Sequence, residues 1–191
     1  MMNFESRQLL LKKQYWQLFG SNFRIYDAAN RLVAFSHQKA FRLREDIRLY
    51  SDESKSREVL YIRARQIVDF SAAYDVFDTA SGQKVGALKR KGWSSLVRDN
   101  WVLMNDLDVE IGRIVEDSTA LALLRRLLTN LVPQKFHADI NGVPVAYYSQ
   151  RFNPFVFRMD IEFPNSGDGL LDRRLGLAAA VLLAAIEGRQ G

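Results

Sequence analysis

The 191-residue chain contains no cysteine and only two histidines, His37 and His137. That excludes a disulfide framework, thiolate chemistry and cysteine-ligated zinc, and it fits a reducing compartment. Its first residues, MMNFESRQLLLKKQ, place a glutamate ahead of a very short apolar run without a basic lead. No secretory leader is expected from such a start, and the cytoplasm is the expected location. Also missing are a glycine-rich phosphate loop, a G-x-S-x-G elbow, an H-E-x-x-H helix and a C-x-x-C pair. No catalytic residue, metal ligand or cofactor is therefore assigned, and the chain is read as a non-enzyme. The two histidines read as ordinary strand residues, and Trp16, Trp93 and Trp101 as packing bulk. Asp106 and Asp108 fall at a turn, where aspartate is favoured in any case. With no stretch that reads as a linker, residues 1–191 are expected to form one domain.

Long hydrophobic runs are scarce too, and the one that exists organises the rest. Between Leu175 and Ile186 no residue carries a charge or a hydrogen-bonding side chain, and alanine and leucine dominate. Such composition forms helix, and a helix apolar on every side must be buried in lipid or in protein. At about 1.5 Å per residue it reaches roughly 18 Å, well short of the roughly 30 Å of a bilayer core. A protein-buried core helix is expected, with no transmembrane segment.

The remainder reads mainly as strands. Gln8 to Lys13, Phe23 to Asp27 and Arg31 to Phe35 come first, the last two joined at an Ala28-Ala29-Asn30 turn. From Phe41 to Leu49 apolar Phe41, Leu43, Ile47 and Leu49 alternate with Arg42, Arg44, Asp46 and Arg48, the period of a half-buried strand, interrupted at Glu45. A strand, an aspartate-marked turn and a strand with a small residue in its middle recur. Ile25-Tyr26-Asp27 matches Val76-Phe77-Asp78, Val33-Ala34 matches Val85-Gly86, and fainter copies surround Ile111-Gly112 and Asn141-Gly142. Leu121, Leu124, Leu128 and Leu131 predict one amphipathic helix over about 118–131, ended by Pro133. Phe155 to Phe163 is the last strand. About twelve strands with one apolar face each cannot lie flat without exposed edges, so a closed antiparallel barrel is expected. A barrel that wide is hollow unless something apolar on all sides fills it, which is the role left for the C-terminal helix.

In this order of elements, with Ile161-Glu162-Phe163-Pro164, Asp168 and the apolar helix ending Ala185-Ile186-Glu187, the chain resembles the tubby-like superfamily, in its phospholipid scramblase and LURP-one-related branch. The resemblance spans about Gln8 to Glu187. It implies a twelve-stranded barrel around a hydrophobic C-terminal helix, and functions ranging from phosphoinositide-dependent membrane tethering and lipid scrambling to transcriptional or defence signalling. The cysteines of the acylated scramblase cluster are absent. The scramblase-like calcium segment would fall near Asp160 to Asp168, where the residues alternate as a strand and lack the spacing of a calcium loop.

The net charge is +5. Its best concentration is Lys89, Arg90 and Lys91, with Trp93 close behind and Arg98 further on; Arg42, Arg44 and Arg48 form a second stripe, with Arg63 and Arg65 as candidates to join it. Cations beside an amphipathic aromatic suit phosphate headgroups. The expected function is therefore a non-enzymatic barrel, cytoplasmic and peripheral to a membrane, that binds anionic phospholipid or phosphoinositide headgroups. Scramblase-like lipid translocation is one alternative, and a protein-interaction or nucleic-acid-binding regulator another. Neither patch has the density of a dedicated nucleic-acid domain.

Overall fold

In a computed structural model of the chain, the described residues are 6–14, 21–38, 46–65, 72–90, 100–117, 133–153 and 156–186. They form twelve strands: β1 (Gln8–Gln14), β2 (Ser21–Asp27), β3 (Leu32–Gln38), β4 (Ile47–Tyr50), β5 (Glu58–Ala64), β6 (Ala73–Asp78), β7 (Lys84–Arg90), β8 (Asn100–Met104), β9 (Glu110–Glu116), β10 (Lys135–Ile140), β11 (Val143–Arg151) and β12 (Val156–Glu162). A short 3-10 turn (Asn165–Gly167) leads into one helix, α1 (Arg173–Ile186). Each strand pairs antiparallel with its neighbours in the chain, and β1 closes the circle against β12. The expected closed barrel around a C-terminal helix is what the chain forms. The amphipathic helix expected over about 118–131 lies outside the described residues.

Local chemistry explains the repeated hairpins. At the β2–β3 turn the Asp27 carboxylate accepts from the Ala29 and Arg31 amides, both at 2.9 Å. Asp78 accepts from the Ser81 amide, Asp139 from the Gly142 amide, and Asn105 from the Leu107 and Val109 amides. These Asx contacts satisfy turn amides that have no ladder partner. Each of the five hairpins also carries a register shift just before its turn, at Ile25/Tyr26, Leu49/Tyr50, Val76/Phe77, Leu103/Met104 and Ala138/Asp139. Bulges raise twist and bend the strands, which is how a sheet curls into a closed wall.

Every strand sends side chains into a single core shared with the helix. Along β12, Phe157, Met159 and Ile161 are buried, while Arg158 and Asp160 point to the other face. Leu175 through Ile186 are all buried. Burying a leucine or valine side chain contributes about 1.5–3 kcal/mol, so α1 is held by its whole circumference. It must also be slim: a Cβ on Gly176 would lie 2.5 Å from the Phe163 ring, and one on Gly86 2.9 Å from the Leu175 side chain. Among the described residues no helix is long and apolar enough to cross a membrane.

The ends of α1 are tied to the wall. Asp172 accepts from the Arg174 amide at 2.9 Å, an N-cap contact, and the Arg174 guanidinium reaches Asp78 at 2.7 Å. Arg7 and Arg173 both hold Asp168, at 2.6 and 3.1 Å. The buried Tyr148 hydroxyl donates to the Gly176 carbonyl at 3.0 Å, and burial pushes that phenol's pKa up. At the other end Lys13, itself buried, brings Nζ within 3.5 Å of the Ala184 carbonyl. A cation there meets the negative end of the helix dipole and its unpaired carbonyls.

Candidate functional site

An up-and-down barrel has two distinct ends. The five described hairpin turns and the N-terminus of α1 share one end; the strand ends Gln14, Ser21, Gln38, Ala64, Arg90, Glu116 and Arg151 share the other with the C-terminus of α1. The described charges divide the same way. In the hairpin half lie Asp27, Asp52, Glu53, Glu58, Asp78, Asp106, Asp108, Glu110, Asp139, Glu162, Asp168 and Asp172, outnumbering Arg7, Arg31, Lys55, Arg57, Lys84, Arg173 and Arg174. In the opposite half Lys12, Lys13, Arg48, Arg63, Arg65, Lys89, Arg90, Lys135, Arg151 and Arg158 outnumber Asp46, Asp75, Glu116, Asp117 and Asp160. Arg24 and Arg113 sit midway. Among the described residues the barrel is thus polarised along its axis, acidic at the hairpins and basic where α1 ends.

The expected site residues distribute unevenly over this frame. Lys89 is exposed on the outer wall, whereas Arg90 is half-buried and pairs in register with the buried Trp101, on the inner side of the strand. Alternation along β7 therefore separates two cations that are adjacent in sequence. Lys91, Trp93, Arg98, Arg42 and Arg44 lie outside the described residues. The strands that lead to them, β7 and β3, end in the basic half.

Arg48 is exposed and heads a composite patch on β4, β5 and β6. Its guanidinium lies 4.5 Å from the centre of the Tyr61 ring and 2.7 Å from Glu58. Arg63 lies 4.8 Å over Phe77, and the Tyr61 and Phe77 rings stack at 6.1 Å. Sequence reading picked out the arginines and missed both rings, whose role depends on the β4–β5–β6 register. Asp75 gathers the remaining cations: Arg65 at 2.5 Å, Lys84 at 3.0 Å and Arg63 at 3.4 Å. Burial alone would raise the Asp75 carboxyl, but hydrogen bonds from Arg65 and Lys84 hold it at about 2. Asp108, from the β8–β9 turn, also binds Arg65 and Lys84, linking the acidic and basic halves. The described members of the second stripe, Arg48, Arg63 and Arg65, are thus paired with acids.

Both histidines and two of the aspartates outside this patch also have polar partners. His137 Nδ1 lies 2.5 Å from Asp117, and His37 Nδ1 lies 2.6 Å from Asn22. Asp160 binds Arg151 at 2.5 and 2.7 Å, and Asp168 binds Arg7, so both aspartates of the scramblase-like segment are ion-paired. Among the described residues no three His, Asp or Glu side chains are placed to hold a metal ion. No protein-family model matches the sequence, and no curated protein matches it.

Proposed function

We propose that the chain is a non-enzymatic barrel that binds anionic phospholipid headgroups, peripheral to a cytoplasmic membrane surface, through the end where α1 terminates. The observation that carries this reading is the axial division of charge. Each Lys or Arg close to an acidic bilayer contributes about 1 kcal/mol, and acids held at the far end avoid the repulsion they would otherwise add. The closed barrel around a buried helix is the architecture that the tubby-like resemblance implies, and it supports membership in that superfamily as a proposal. Translocation by insertion of α1 is disfavoured, because leaving the barrel would strip the burial of every residue from Leu175 to Ile186.

Vesicle flotation tests the reading. The protein is expected to float with phosphatidylcholine vesicles only when an acidic phospholipid is added, to release as salt rises, and to bind more weakly as Lys89→Glu. Binding indifferent to lipid charge would contradict it.

A further inference from the structure

We propose that a transverse row of four outward cations on the outer wall, Arg24, Lys12, Arg158 and Arg151, is a phosphate-binding site; its assignment to a lipid headgroup rests on the function proposed above. The register puts them directly opposite one another: Arg24 faces Lys12 across β2 and β1, Lys12 faces Arg158 across β1 and β12, and Arg158 faces Arg151 across β12 and β11. Their neighbours Leu11, Phe23, Ile25, Phe157 and Met159 are buried, so alternation turns all four outward.

Such an arrangement is unfavourable by itself. Side chains directly opposite in an antiparallel pair lie about 5 Å apart at Cβ, and like charges there destabilise the sheet. Three successive like-charged pairs call for compensation, and the protein supplies it only at the flanks. Glu53 binds Arg24 through two hydrogen bonds at 2.8 and 3.0 Å, and Asp160 binds Arg151 through two at 2.5 and 2.7 Å. The central pair has no carboxylate among the described residues. Lys12 rests 4.5 Å from the centre of the Tyr26 ring, and Arg158 keeps a buried Nε without a hydrogen-bond partner. The row therefore carries two uncompensated charges at its centre, held between two arginines whose positions are pinned by acids.

The ligand chemistry follows. A tetrahedral oxyanion can accept from an ammonium and a guanidinium at once, as a phosphate does. A phosphate between Lys12 and Arg158 would neutralise the repelling pair. Phe152, 57% exposed, immediately follows Arg151 at the basic end of the barrel. An aromatic ring in that position would enter the headgroup layer while the row holds the phosphate. Strands from opposite ends of the chain build the site, so no sequence window contains it.

The test uses the full chain in low salt. Millimolar inorganic phosphate is expected to raise the melting temperature, while chloride of equal ionic strength does not. The double variant Lys12→Gln, Arg158→Gln is expected to lose this response, with apparent affinity falling about tenfold or more, since each charge-assisted hydrogen bond is worth roughly 1.5–3 kcal/mol. Its melting temperature without phosphate is expected to equal or exceed the parent's, because the repulsion is gone; a purely structural row would give the reverse. Should the double variant not fold, Lys12→Gln alone carries the comparison. Loss of binding to phosphatidylserine vesicles together with the phosphate response, and weakened vesicle binding by Phe152→Ser with that response intact, assign the site to headgroups. Loss of the phosphate response with vesicle binding unchanged supports the site and assigns it to a soluble phosphate compound. A parent chain that responds to phosphate but ignores acidic vesicles contradicts the membrane reading alone. A parent without a phosphate response, or a double variant that keeps it, overturns the site.

Discussion

Asp75 shows how a single buried acid organises the wall. It sits 5% exposed among Arg63, Arg65 and Lys84, which tie β5 to β6 and β7 and bring in Asp108 from the next hairpin. Its carboxyl is depressed to about 2 in the folded chain, below the ordinary value near 4. A depressed acid stabilises the fold fully above its unfolded pKa, and the benefit fades as pH falls from about 4 to about 2. A fall of that size corresponds to roughly 2.5 kcal/mol. Asp75→Asn is therefore expected to lose about that much in urea unfolding at pH 7 and to converge with the parent near pH 2. An unchanged difference at both pH values would contradict this role. Lys12 and Arg158 show the opposite case at the same scale: charges with no carboxylate partner among the described residues.

Among the elements, the hairpins were the most legible in the sequence. Asp27, Asp78, Asp139 and Asn105 mark turns because their side chains replace missing ladder bonds, and that chemistry is local. α1 was legible for a similar reason, since a run without polar side chains must be enclosed. β8 was not, because Trp101-Val102-Leu103 are all buried and show no alternation. Pairing strength was also invisible. β1 and β12 pair without a break from Gln8↔Glu162 to Gln14↔Val156, whereas among the described residues β3 meets β4 only at Phe35↔Tyr50. Hydrogen exchange is expected to run ahead along the β3–β4 seam, since backbone groups outside a ladder open at low cost. Earlier exchange at β1 and β12 would show that the seam lies elsewhere.

At the scale of the whole molecule, closure brings together what the chain keeps apart. The candidate site was legible only where cations cluster in sequence, as at Lys89 and Arg90, and even there alternation sends the two to opposite faces. The row of Arg24, Lys12, Arg158 and Arg151 exists only because β1 closes on β12. The axial charge division is likewise a product of topology, as each strand contributes one residue set to each end. An anionic surface acting on such a dipole orients the barrel as well as attracting it. The most direct measurement places an environment-sensitive fluorophore on Phe152→Cys in one sample and on Leu107→Cys, 77% exposed at the acidic end, in another. With acidic vesicles, emission is expected to shift to the blue at position 152 and to stay unchanged at 107. Immersion of position 107, or flotation with no change at 152, would contradict the account.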